Sequence, residues 1–68
     1  MKITLNGTPV DITPNCTLQQ LIDDQGLTGK RLAAEVNLQI IPRAQHAECI
    51  LQENDSVEIV QAIGGGQS

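Results

Sequence analysis

Apolar and polar side chains alternate in Met1-Lys2-Ile3-Thr4-Leu5 and again in Thr8-Pro9-Val10-Asp11-Ile12, on either side of Asn6-Gly7. Asn-Gly between two alternating runs predicts a β-hairpin, because a type I′ turn needs positive φ at both central positions. Ile3, Leu5, Val10 and Ile12 then share one face. Pro9 has no amide proton to give a ladder, which predicts that the second strand is an edge of its sheet.

Pro14-Asn15-Cys16 interrupts the alternation, and the period changes after it. Thr17-Leu18-Gln19-Gln20 has capping-box spacing, in which a hydroxyl and an amide side chain each satisfy an orphan backbone N–H. Leu18, Leu21 and Ile22 follow at helical spacing, with Gln19, Gln20, Asp23 and Asp24 turned to water. Gly26 predicts the helix stop, after about two turns.

Arg31 to Val36 reads as a strand, with Leu32, Ala34 and Val36 on one face and Ala33 and Glu35 on the other. Asn37-Leu38 turns the chain, and Gln39-Ile40-Ile41 forms a short strand that Pro42 ends. Arg43 to Glu48 predicts one helical turn with His46 on its surface. After the polar turn Gln52 to Ser56, Val57 to Ile63 is the longest proline-free apolar segment, predicting a central strand. It directs Val57, Ile59 and Ile63 to one face, with Gln61 among them, and Val60 and Ala62 to the other. This order predicts an α+β fold in which a mixed sheet packs on one main helix, the β-grasp arrangement of ubiquitin. The expected domain is 1–63, and residues 64–68 form a glycine-rich tail.

The chain has 68 residues, 40% of them hydrophobic and 18% charged, which is a globular composition. So short a domain has little room for a deep substrate pocket, which favours a binding module, carrier or subunit over an enzyme. Eight acidic side chains against four basic ones give a net charge of -4, and Phe, Tyr and Trp are absent. No run of basic residues offsets that charge, and no Phe, Tyr or Trp is there to stack on a base, so a nucleic-acid partner is not expected. No apolar run approaches the roughly 20 residues of a membrane span. The amino terminus lacks a signal-peptide pattern, so the expected location is cytoplasmic. Cys16 and Cys49 have no metal-site spacing and are expected to act as small buried hydrophobes. Asp23 and Asp24, adjacent on a helix, do not face each other, and Glu53 and Asp55 read as turn acids. None of these residues receives a catalytic role, and no metal site is expected.

Gly64-Gly65-Gly66 follows directly on the final strand, with Gln67 and Ser68 beyond. Residues without Cβ make a segment narrow enough to thread a close-fitting channel in another protein. With Asn6-Gly7, Val36-Asn37, Ile40-Ile41-Pro42-Arg43 and the stretch from Asn54 to Gly66, the chain resembles the ThiS family of sulfur carriers over nearly its whole length. The resemblance implies a carrier whose terminal glycine carboxylate is adenylated and becomes a thiocarboxylate, the sulfur donor for the thiazole ring of thiamin. It implies three partners: an E1-like adenylating enzyme (ThiF-like), a cysteine desulfurase as sulfur source and a thiazole synthase (ThiG-like). ATP is used by the adenylating enzyme, and no cofactor is bound by the carrier. Gly66 is the implied acyl donor once Gln67 and Ser68 are removed, with Gly64 and Gly65 filling the partner's channel. Val60, Ala62 and Arg43 are the expected docking residues. Sulfur transfer to molybdopterin, cysteine or a siderophore, and a ubiquitin-like interaction module without thiocarboxylate chemistry, remain as alternatives.

Overall fold

In the computed structural model, residues 1–61 are described. Asn6 and Gly7 take φ of +50° and +83°, the geometry the hairpin requires, and join β1 (Lys2–Leu5) to β2 (Thr8–Asp11). Helix α1 (Leu18–Asp24) opens on the expected capping box. The Gln20 amide donates to Thr17 Oγ1 at 3.1 Å, and Gln20 Oε1 accepts from the Thr17 amide at 2.9 Å. The helix closes on Gly26 at φ +74°, with amide bonds from Leu27 to the Ile22 carbonyl and from Gly26 to the Asp23 carbonyl. That pair of bonds is a Schellman ending, and half-buried Leu27 packs back on the core as such endings favour. Asp23 accepts from Thr28 Oγ1 at 2.7 Å and from Gln19 Nε2 at 3.0 Å, and these bonds hold its carboxyl below the usual range.

Strand β3 (Leu32–Val36) turns through Asn37-Leu38 into β4 (Gln39–Ile40), and a short 3₁₀ turn (Arg43–Gln45) precedes β5 (Ser56–Gln61). The sheet has five strands in the order β2-β1-β5-β3-β4. β5 runs parallel to β1 and antiparallel to β3, so the last strand is central and the Pro9 strand is an edge, as predicted. A mixed sheet of this order on a single main helix is the β-grasp fold. β4 ends one residue early, at Ile40. The Ile41 amide still bonds the Ala34 carbonyl at 2.9 Å, but Pro42 offers no amide to extend the strand.

One sheet face is covered. Ile3, Leu5, Ala34, Val57 and Ile59 meet Leu18, Leu21 and Ile22 of the helix, and Cys16 and Leu51 complete the core. Cys16 is buried and Cys49 half-buried, both free thiols, and burial pushes both above the ordinary thiol pKa. His46 departs from expectation. It is 3% exposed rather than on the surface, and its Nε2 lies 2.9 Å from the Ile41 carbonyl, which can only accept. Nε2 therefore carries the proton. The turn is 3₁₀ rather than α-helical, and the Gln19 amide bonds the His46 carbonyl, which draws the ring inward. In a chain without Phe, Tyr or Trp, the imidazole is the one aromatic ring available to fill that space.

Two asparagines grip β5 from opposite sides. Asn6 Nδ2 donates to the Ile59 carbonyl at 3.2 Å, and the Ile59 amide donates to Asn6 Oδ1 at 2.9 Å. On the other side, the Ser56 amide donates to Asn37 Oδ1 at 2.9 Å, and Asn37 Nδ2 donates to Asp55 Oδ1 at 2.9 Å. Each side chain thus behaves as a further peptide group at the end of a ladder, β1·β5 for Asn6 and β3·β5 for Asn37. Each also occupies a left-handed turn position, at φ +50° and +51°.

Leu38 follows Asn37 at φ +70° and is 85% exposed. A γ-branched side chain in the left-handed region costs about 1–2 kcal/mol, more than glycine loses through its unfolded-state entropy. Leu38→Gly is therefore expected to raise the thermal midpoint by a few degrees, in line with a gain of about 0.5 kcal/mol. A lower midpoint in a thermal melt would show that Leu38 makes contacts outweighing its backbone strain.

Candidate functional site

The alternation of β5 divides its side chains between two environments. Val57 and Ile59 are buried beneath the helix, whereas Glu58 and Val60 stand on the opposite, uncovered face, with Val60 64% exposed. Register brings Ala33 opposite Val60 and Glu35 opposite Glu58, and Ile40 of the edge strand lies opposite Glu35 at 72% exposure. The open face is thus an apolar surface of Val60, Ala33 and Ile40 interrupted by two carboxylates in direct cross-strand register. Like charges so placed repel, and the sheet tolerates them because both lie at the water boundary.

At the far end of this face the chain leaves β5. Gln61 pairs with Leu32, so the loop before β3 flanks the exit. Arg43 reaches the same place. Its Nη2 donates to the Lys30 carbonyl at 3.0 Å, tying the turn after β4 to the loop before β3. Of the expected docking residues, Val60 and Arg43 both lie exposed on the side of the molecule that the helix leaves open or beside the strand exit. Ala62, Gly64, Gly65, Gly66 and Ile63 lie outside the described residues, as do the expected domain boundary and tail. Ile40 and Ala33 were not singled out from sequence. Only the register that carries them beside Val60 and Glu35 reveals them.

Elsewhere, Ile41, Gln45, Glu48 and Cys49 line a shallow depression of about 280 Å³, at the lower limit of ordinary ligand pockets. Among the described residues, no three His, Cys, Asp or Glu side chains gather as metal ligands, and no helix is long and apolar enough to cross a membrane.

The comparisons with known proteins agree with one another. The ThiS family model matches residues 3–66, so the match ends on the third glycine of the tail. The chain is 35% identical to the sulfur carrier protein ThiS of Escherichia coli, covering 97% of this chain and 100% of that one. It is also 39% identical to a thiazole synthase of Magnetococcus marinus and 33% identical to one of Paramagnetospirillum magneticum. The chain spans only about a fifth of the length of those two relatives (21% and 20%). In fold it matches the crystal structure of a thiamine biosynthesis protein (ThiS) from Geobacter metallireducens, with a TM-score of 0.82 at 22% identity. That match covers 97% of this chain and 100% of the other. By a family match over residues 3–66 and an identity of 35% along the full length of a carrier, the chain belongs to the ThiS family.

Proposed function

We propose that this protein carries sulfur as a thiocarboxylate on Gly66 and delivers it to the thiazole ring of thiamin. The observation that carries this reading is the position of Gly64-Gly65-Gly66: the family match that begins at Ile3 runs through the central strand and stops at Gly66. The chemistry follows from the electrophile. A glycine carboxylate is unreactive until one of its oxygens attacks the α-phosphorus of ATP, releasing pyrophosphate and forming an acyl-adenylate. The terminal sulfur of a persulfide then displaces AMP, and cleavage of the S–S bond by a thiol leaves the thiocarboxylate. An E1-like adenylating enzyme supplies the first step and a cysteine desulfurase the persulfide. The carrier contributes a substrate group rather than catalytic side chains. Two thiazole synthases containing a stretch similar to this chain support a thiazole synthase as acceptor. Val60, Ala62 and Arg43 form the docking surface from which the glycines enter a partner's channel. Gly66 gains a free carboxylate once Gln67 and Ser68 are removed.

The test is the intact mass of the untagged protein from its own cells. A species ending at Gly66, with a fraction of molecules carrying sulfur in place of one oxygen, is the expected result. A protein that always keeps Gln67-Ser68, even when incubated with the adenylating enzyme and ATP, would overturn the reading.

A further inference from the structure

The fold gathers cations that the sequence scatters. Of four basic side chains, Lys30, Arg31 and Arg43 are exposed around the end of the sheet from which β5 leaves. The pairing of Leu32 with Gln61 places Lys30 and Arg31 beside that exit, and the 3.0 Å bond from Arg43 to the Lys30 carbonyl brings the guanidinium to the same loop. The loop itself is fixed by the Lys30 amide on the Leu27 carbonyl and by Gly29 at φ +77°. Among the described residues, none of the three has a carboxylate within ion-pair distance. The fourth cation, Lys2, lies at the opposite end and pairs with Asp11 at 3.7 Å. Glu53 and Asp55 are at that end too, joined to β1 through the Lys2 and Thr4 amides. Three of the four cationic side chains of a chain of net charge -4 thus stand at the end that leads into the glycines, where the helix contributes Asp23, its carboxylate held by Thr28.

We propose that Lys30, Arg31 and Arg43 form a cationic lip that docks on carboxylates bordering the entrance through which the adenylating enzyme takes up the tail. This rests on the carrier reading above. Charge separation along the molecule orients it on approach, because an acidic entrance attracts the tail end and repels the rest. At physiological salt the Debye length is about 8 Å, shorter than the molecule, so the two ends are sensed separately. The lip meets protein carboxylates rather than nucleotide phosphates. The five residues that follow Gln61, up to Gly66, span at most about 17 Å when extended, a reach long enough for adenylation to take place beyond the lip.

The experiment is ATP–pyrophosphate exchange by the adenylating enzyme of the same cells, with this chain ending at Gly66 as substrate. Lys30→Glu with Arg31→Glu is expected to raise the KM for the carrier about tenfold or more and to reverse the direction of its salt dependence, with kcat and the KM for ATP unchanged. Arg43→Gln keeps a donor for the Lys30 carbonyl and is expected to shift KM in the same direction by a smaller factor. Lys2→Glu, at the other end, should leave KM in place, and thermal melts confirm that each variant is folded. Should the double charge reversal disturb folding, Lys30→Gln with Arg31→Gln serves in its place. An unchanged carrier KM, or a rise confined to the KM for ATP, overturns the lip and leaves the carrier reading standing. No exchange with the unsubstituted chain overturns both.

Discussion

Replacing Asn6 by alanine is expected to lower the stability of the fold by about 2–4 kcal/mol. Two side-chain bonds to Ile59 are lost, at about 0.5–1.5 kcal/mol each, and both backbone groups of Ile59 are left without partners on that side. Alanine must also hold φ near +50°, which adds about 1–2 kcal/mol. For a chain of this length the whole folding free energy is about 3–10 kcal/mol, so the loss is a large fraction of it. Asn6→Gly separates the contributions, since glycine accepts the turn and lacks the amide, and its loss should be the smaller of the two. Urea denaturation measures both. Midpoints unchanged from the parent would mean that the Asn6 side chain exchanges these bonds for water without consequence.

Val60→Asp is expected to weaken binding to the adenylating enzyme about tenfold or more while changing stability by about 1 kcal/mol or less. Val60 packs against nothing beneath the sheet, so the fold loses little buried area, and the cost is the poorer strand propensity of aspartate. At an interface the same change buries a carboxylate beside Glu58 and Glu35, where desolvation and repulsion combine. Val60→Thr keeps the β-branched shape and should fall between the two. Calorimetric titration gives the affinity. Equal affinities for the parent and the aspartate variant, at equal stability, would remove this face from the docking surface.

How far these features could be read from sequence depended on range. The Asn6-Gly7 hairpin, the Thr17 capping box and the Gly26 ending are set by residues within five positions of each other, and all three were legible. So were the Pro9 edge and the central placement of β5, since each rests on a property of its own segment. The grip of Asn6 on Ile59 spans 53 positions and has no local signature, because asparagine before glycine is already explained by the turn. Asn37 is hidden in the same way. His46 reads as a surface residue because Ala44 and Ala47 are too small to mark an inward face, and burial there depends on the helix whose Gln19 amide bonds its carbonyl. The cationic lip has no sequence signature because Arg43 is separated from Lys30 and Arg31, and only the antiparallel return of β4 on β3 brings them together. The candidate site was legible as a glycine run after a strong strand, and its surroundings became visible only through register.

β5 also answers a mechanical question. An enzyme that draws the glycines into a channel pulls along the axis of the strand to which they are attached. That strand is hydrogen-bonded on both sides, parallel to β1 and antiparallel to β3, and is held near its two ends by Asn6 and Asn37. A pull along its axis loads these bonds together in shear instead of opening them one by one like a zip. A tail on an edge strand such as β4 could be peeled away with its domain unravelling behind it. A tail that continues a central strand can be handled by one protein after another while the body it belongs to stays intact.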